Sequence, residues 1–233
     1  MTKNNEIYER TECLIGKGGQ EKLLASKVVI FGLGGVGGYA LEALARAGVG
    51  KLVLVDHDKI QKSNINRQIL ALHSSLGQFK TDIAKKRVND INPDIEVICH
   101  QVFAKKENLS EIIGDDVSYI IDAIDSVQSK VDIIKYAKTN NIPIISSMGT
   151  GCKVDNLKFQ IADIKKTHTC PLAKRIRKIL KVEGIENLEV LYSNEKNKVS
   201  VTDCIPSISY VPSVAGLVLA GHVINKMLEE KDQ

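Results

Sequence analysis

The segment Gly32-Leu33-Gly34-Gly35-Val36-Gly37 follows the β-branched run Lys27 to Phe31 and precedes Gly38 to Ala47, whose Ala, Leu and Glu content suits a helix. A strand, a glycine turn and a helix in that order leave few folds open. Glycines let the backbone turn sharply and approach phosphate oxygens, while the helix N-terminus offers free N–H donors. Asp56 ends the next strand-like run, Lys51 to Val55, about 20 residues further on, where a carboxylate accepts hydrogen bonds from ribose hydroxyls. The segment reads as a nucleotide-binding turn; the alternative is a tight turn that serves packing alone. It does not say which nucleotide, because NAD, FAD and ATP proteins all use such turns.

The same alternation continues. Gln78 to Ile91 places Ile83, Ala84, Val88 and Ile91 on one helical face, and Asn92-Pro93 stops that helix. Strands are expected at Ile95 to Cys99, Tyr119 to Ile121 and Ile142 to Ser146, with a helix over Val127 to Thr139. This predicts an α/β fold with a doubly wound, mainly parallel sheet. Beyond Gly149 the pattern loosens, and a strand at Phe159 to Ala162, a basic helix at Pro171 to Lys181, a polar loop near Ser193 to Lys198 and an apolar helix at Val211 to Met227 are expected. With 233 residues and 43% apolar content, one compact unit is the expectation.

Several function classes lose support. The five cysteines are scattered without a CxxC pair, which argues against a disulfide framework and a thiolate zinc site. The five histidines form no HExxH or HxxxH spacing. Met1 to Arg10 is polar and lacks the apolar core of a secretory signal, so a cytoplasmic location is expected. The stretch Val211 to Ile224 falls short of the roughly 20 apolar residues of a membrane span and contains Pro212 and His222, so no membrane partner is expected.

Downstream of the glycine turn lie Ser63-Asn64-Ile65-Asn66-Arg67-Gln68, then Lys80, then Asp122-Ala123-Ile124-Asp125-Ser126. Hydride transfer has no use for these charges. A triphosphate does: a guanidinium grips phosphate oxygens bidentately, a lysine adds a point charge, and a carboxylate holds magnesium. Taken singly, Arg67 and Lys80 read as solvated surface residues and Asp125 as a helix N-cap. An NAD-dependent redox or sensing module is the rival class, and it leaves Arg67, Lys80 and Asp125 without a role.

These motifs, with Asp56-His57-Asp58, resemble the signature of the ThiF/MoeB-like, ubiquitin-activating-type adenylating family. The resemblance implies a Rossmann-like domain that spends ATP to turn a carboxylate into an acyl-adenylate. It implies nucleotide contacts from Gly32, Gly34, Gly35, Gly37, Asp56, Asp58, Asn64, Arg67, Lys80, Asp125 and Ser126, with Asp56 on the ribose, Asn64, Arg67 and Lys80 on the phosphates, and magnesium on Asp125. It also implies a homodimer in which an N-terminal arginine, here Arg10 of Tyr8-Glu9-Arg10, reaches the partner's ATP, so that Arg67, Lys80, Asp125 and Arg10 form the catalytic set. On this reading residues 1–26 are a helical arm, 27–150 the ATP-binding core, and 151–233 a substrate-side extension.

Within the family the likeness runs to members that cyclise a threonylcarbamoyl-modified adenosine beside the tRNA anticodon. It rests on Glu42 to Gly50, Asn66 to Ile69, Ala71-Leu72, Ile91-Asn92-Pro93, Ile121 to Ser126 with Lys130, and Asp163 through Arg177. Residues 164–182 carry Lys165, Lys166, Lys174, Arg175, Arg177, Lys178 and Lys181 and no acid, which suits a phosphate backbone, although such a block also serves as a solvated helix face. The net charge of +4 is too small to name an anionic partner by itself. An alternative acceptor is the C-terminal glycine of a ubiquitin-like sulfur carrier; many such enzymes hold structural zinc, and the missing CxxC pairs weigh against it. Relatives that form a thioester would use Cys204, or Cys152 or Cys170 behind it, but cyclisation needs no protein nucleophile and free cysteines are usually small buried hydrophobes. A monovalent cation near Gly149 to Gly151 and a cysteine-desulfurase or sulfur-relay partner complete the expectations.

Overall fold

The computed structural model describes residues 5–199 and 205–229. Among the described residues, seven strands form one sheet: β1 (Lys27–Phe31), β2 (Lys51–Val55), β3 (Glu96–His100), β4 (Tyr119–Asp122), β5 (Ile144–Ser147), β6 (Phe159–Asp163) and β7 (Glu189–Ser193). Their order is β3-β2-β1-β4-β5-β7-β6, and every pairing is parallel except β6 with β7. Six of the strands lie within a residue or two of the segments expected from sequence. The exception is β7, whose Val190 to Ser193 are buried within a short run that carries no decisive periodicity.

The helices are α1 (Asn5–Ala25), α2 (Gly37–Ala47), α3 (Lys80–Ile91), α4 (Leu109–Ile113), α5 (Val127–Thr139), α6 (Pro171–Val182) and α7 (Tyr210–Glu229). A parallel sheet needs cover on both faces. One core joins α2, α3 and α7 to the sheet through Leu41, Leu44, Val88, Leu219 and Val223. The other joins α4, α5 and α6 through Ile113, Ile134, Ile176 and Leu180. Central β1 shows the consequence: Val28, Val29, Ile30 and Phe31 are fully buried, each burial stabilising the fold by roughly 1.5–3 kcal/mol. The helix α7 is long and apolar enough by composition to cross a membrane, but half of its apolar window is buried, and it packs along α2 as a core helix.

Strand order fixes where a ligand belongs. From β1 the chain steps outward to β2 and β3, then returns to the other side of β1 for β4 and β5. Connections leaving β1 and β4 therefore diverge, and the crevice beyond their carboxyl ends is the topological switch point at which open α/β sheets bind ligands. The glycine turn follows β1, and Ala123 to Ser126 follows β4. The arm α1 breaks at Gly16, whose φ of 75° and ψ of 164° interrupt the helix. It is anchored by Gln20 Nε2 donating to the Ala47 carbonyl at 3.1 Å and by the Tyr8 hydroxyl, which accepts from Asn92 Nδ2 at 2.6 Å.

Candidate functional site

The turn after β1 is shaped by close contacts. Gly32 has φ of +87°, and a Cβ there would sit 2.8 Å from the Ala123 carbonyl oxygen; a Cβ on Gly37 would sit 1.8 Å from the Gly32 carbonyl oxygen. Neither position tolerates a side chain. Gly35 comes close to Pro212 at the start of α7, and a Cβ on it would also lie 3.4 Å from Arg67 Cγ. The Arg67 stem therefore lies against the turn. Its guanidinium donates to the Ser63 carbonyl at 3.0 Å and Asn66 Oδ1 at 2.8 Å, while Asn66 Nδ2 donates to the Ser207 carbonyl at 3.1 Å. Asn64 Oδ1 accepts from Gln61 N–H at 3.0 Å and closes the short helical turn Lys62–Asn64.

Asp56 locks the turn to the end of β2. Its Oδ2 accepts from Leu33 N–H at 2.7 Å and its Oδ1 from Asp58 N–H at 2.8 Å. Lys80 opens α3 with its ammonium 2.7 Å from Asp58 Oδ2 and 3.6 Å from Asp56 Oδ2. The Lys80 side chain is only 6% exposed and Asp58 is 51% exposed, so the buried cation is held partly by an acid that faces water. Asp56, His57 and Asp58 bring metal-ligand atoms within 4.8 Å of one another. Each Asp56 oxygen accepts one backbone N–H and keeps a further lone pair, while Asp58 pairs with Lys80.

Beyond β4, Ala123 and Ile124 touch Gly32, and Asp125 follows them with its side chain exposed. An exposed carboxylate beside the glycine turn is a donor of the kind a hard cation takes. Ser126 caps α5 without a side-chain cap bond. Gln68, 7% exposed, has its Nε2 near Gly34 and an Oε1 without a protein partner. It is a buried acceptor beside the turn to which sequence reasoning gave no role.

A second buried polar group, whose contacts the sequence does not show, lies beneath this loop. Lys130 Nζ, on fully buried α5 surface, donates to Asp122 Oδ2 at 2.8 Å, Ser146 Oγ at 3.1 Å and the Ser147 carbonyl at 3.0 Å. Ser146 Oγ donates to the same Asp122 oxygen at 2.5 Å, and Asp122 Oδ1 accepts from Ile124 N–H at 3.3 Å. This cluster ties the ends of β4 and β5 together and fixes the backbone that presents Asp125. The sequence names Asp122 and Lys130 only within the stretches that carry the family likeness, and their partners Ser146 and Ser147 come from another strand.

The remaining sequence candidates are dispersed. Arg10 lies exposed on α1. On α6, Lys174, Arg175 and Lys178 are exposed, whereas Arg177 turns to the Ile164 and Thr167 carbonyls and Thr167 Oγ1, tying the helix to the preceding turn. Lys165 pairs with Glu186 at 3.7 Å, and Lys166 is exposed. Cys170 is buried as the N-cap of α6, with Sγ accepting from Ala173 N–H at 3.5 Å; Cys152 is buried with a positive φ of 60°. Cys204 lies outside the described residues.

Taken together, a glycine turn at the switch point, an acid closing β2, and Arg67 and Lys80 beside them define a mononucleotide-binding α/β protein. A model of the ThiF family matches residues 8–233, and the chain belongs to that family. It is 42% identical to the tRNA threonylcarbamoyladenosine dehydratase of Bacillus subtilis, over 96% of this chain and 95% of that protein. Among solved structures, the Escherichia coli tRNA N6-threonylcarbamoyladenosine dehydratase in complex with ATP superposes with a TM-score of 0.91 at 32% identity, covering 96% of this chain and 94% of that one. The same enzyme in complex with AMP gives a TM-score of 0.92 at 30% identity, covering 98% and 97%.

Proposed function

We propose that this chain is an ATP-dependent tRNA threonylcarbamoyladenosine dehydratase that works through an acyl-adenylate. The observation that carries the reading is the Asp56–Lys80–Asp58 cluster joined to the Gly32–Gly37 turn. It provides a ribose acceptor and a buried cation for phosphates within one crevice, and it accompanies likeness to the dehydratases over nearly the whole chain.

In this mechanism a carboxylate oxygen of the threonyl group attacks the α-phosphorus of ATP, the bond to the β-phosphate oxygen breaks, and pyrophosphate leaves. The ureido oxygen of the same substituent then attacks the acyl carbon, the C–O bond to AMP breaks, and the ureido proton passes to water. The tRNA loses one water as a cyclic oxazolone. Protein groups supply proximity and stabilise developing charge. Gly32, Gly34, Gly35 and Gly37 let the phosphates approach the backbone, and Asp56 accepts from the ribose. Asn64, Arg67 and Lys80 contact the phosphates, with a phosphate oxygen replacing the half-exposed Asp58 carboxylate on the Lys80 ammonium. Magnesium belongs on Asp125 beside Ser126, where it neutralises phosphate charge when bound. Gln68, whose Nε2 lies near Gly34, supports the turn from its buried side.

The remaining elements are assigned by the same reading. The chain acts in the cytoplasm as a homodimer in which Arg10 of one protomer reaches the other's ATP. The whole chain is one adenylating domain, in which residues 1–26 are an arm, 27–150 the ATP-binding core and 151–233 the substrate side. Lys165, Lys166, Lys174, Arg175 and Lys178 face the tRNA, while Arg177 supports them from below. A monovalent cation near residues 149–151 and a cysteine-desulfurase or sulfur-relay partner fit this scheme as accessories. The test is mass analysis of nucleosides from threonylcarbamoyladenosine-bearing tRNA after incubation with ATP and magnesium. Loss of one water from the modified adenosine is expected, and an unchanged mass refutes the proposal.

A further inference from the structure

A groove of about 410 Å³ runs along α3, lined by Lys59, Phe79, Asp82, Lys85, Lys86 and Asn89 among others. Among the described residues, Lys59, Lys85 and Lys86 have no carboxylate within salt-bridge distance, whereas Lys51, Lys135, Lys165 and Lys226 each pair with a glutamate. The single acid in the lining, Asp82, accepts from Gln101 Nε2 at 2.7 Å. Lys86 meets only the neutral Gln78 Oε1, at 3.3 Å, and the Lys59 ammonium lies 4.8 Å from the centre of the Phe79 ring. The groove thus gathers three lysines against one aspartate beside an aromatic face.

Its position makes that charge useful. Lys59 follows Asp58 and Phe79 precedes Lys80, so both strands of the small bridge between Lys59 and Phe79 lead directly into the nucleotide crevice. Gln101 ties the groove to the loop after β3, where Phe103 is 41% exposed and meets the His57 ring edge-on at 5.0 Å between centroids. Cations that track phosphates, next to exposed rings on which a base stacks, are the equipment of a single-stranded or loop RNA contact. The basic helix α6 packs on the opposite face of the sheet, so this surface is separate from it.

The geometry points to the α3 groove as an RNA-binding surface: Lys59, Lys85 and Lys86 hold backbone phosphates, and Phe103 with His57 at the rim stacks a neighbouring base. The inference rests on the tRNA-modifying reading above and adds to it the surface that leads an RNA loop into the crevice. It is tested with K59Q/K85Q/K86Q and, separately, Phe103→Ala, measuring tRNA affinity by fluorescence anisotropy across a salt series alongside ATP affinity. The triple variant is expected to bind ATP normally but to lose roughly 2 from the slope of log affinity against log salt, at about 0.7 per phosphate contact. Phe103→Ala is expected to weaken tRNA binding roughly tenfold with the salt slope unchanged, as loss of one stacked base does. Wild-type affinity and slope in the triple variant, or wild-type affinity in Phe103→Ala, overturns the inference. If wild-type protein converts the modified tRNA while these variants bind it unaltered, only the groove assignment fails; if wild-type protein neither binds nor converts it, the functional reading itself fails.

Discussion

Two carboxylates three residues apart have opposite environments and should answer mutation in opposite ways. Asp122 is fully buried against Lys130, whereas Asp125 is exposed beside the glycine turn. Lys130→Met leaves a buried charge with only serine and backbone partners, and it should cost about 3–5 kcal/mol in denaturant unfolding. Asp125→Asn should leave stability within about 0.5 kcal/mol of wild type, as surface substitutions do, while abolishing ATP-dependent turnover. If both variants lose activity only through unfolding, the assignment of Asp125 to the chemistry is wrong. Much of this contrast escaped the sequence. The spacing from Asp122 to Asp125 marked the segment as chemically important, but burial by Ser146 and Ser147 depends on how β5 pairs with β4. Arg177 illustrates the same limit: its charge was legible, but the carbonyls that claim it belong to a turn ten or more residues upstream.

At the scale of elements, the position of Lys80 depends on α3, and α3 is fastened to α2 by Glu42, which accepts from Arg87 Nε and Nη2 and from Arg46 Nε. Burial alone would raise the Glu42 carboxyl, but the hydrogen bonds from Arg87 and Arg46 outweigh it and hold the group below its ordinary value. Because the folded value lies below the unfolded one, this stabilisation is fully present above the ordinary carboxylate range and is lost as pH falls through the folded value. Thermal unfolding should therefore show stability decreasing on acidification, with a weaker dependence in Glu42→Gln; an unaltered pH profile in that variant contradicts the role given to the clamp. The boundaries of β1, β2 and α5 were readable because each combines residue propensity with a clear stop or start. In contrast, β7 was hidden: Glu189 to Ser193 is short, lies between polar segments, and becomes a strand because β5 and β6 flank it on both sides. The glycine turn was legible for the reason that makes it functional, since contacts at Gly32 and Gly37 exclude every other residue.

For the whole molecule, the proposed function assigns the two ends of the chain distinct tasks around one crevice. Arg10 is exposed on α1, and its proposed target is the partner's ATP, so the proposal is tested with two protomers. Mixing inactive Arg10→Ala and Asp125→Asn proteins, after exchange of subunits, should restore about a quarter of wild-type activity, because half the dimers are mixed and each has one intact site. No recovery despite demonstrated exchange would place Arg10 outside the catalytic set.

The proposed function depends on a substrate carboxylate becoming joined to the α-phosphate of ATP. It is tested most directly by supplying tRNA whose threonylcarbamoyl carboxylate carries heavy oxygen, then analysing the released nucleotide by mass spectrometry. AMP bearing one heavy oxygen on its phosphate is expected, in step with cyclisation of the tRNA. Cyclised tRNA accompanied by unlabelled AMP, or by ADP with the label in inorganic phosphate, would contradict it.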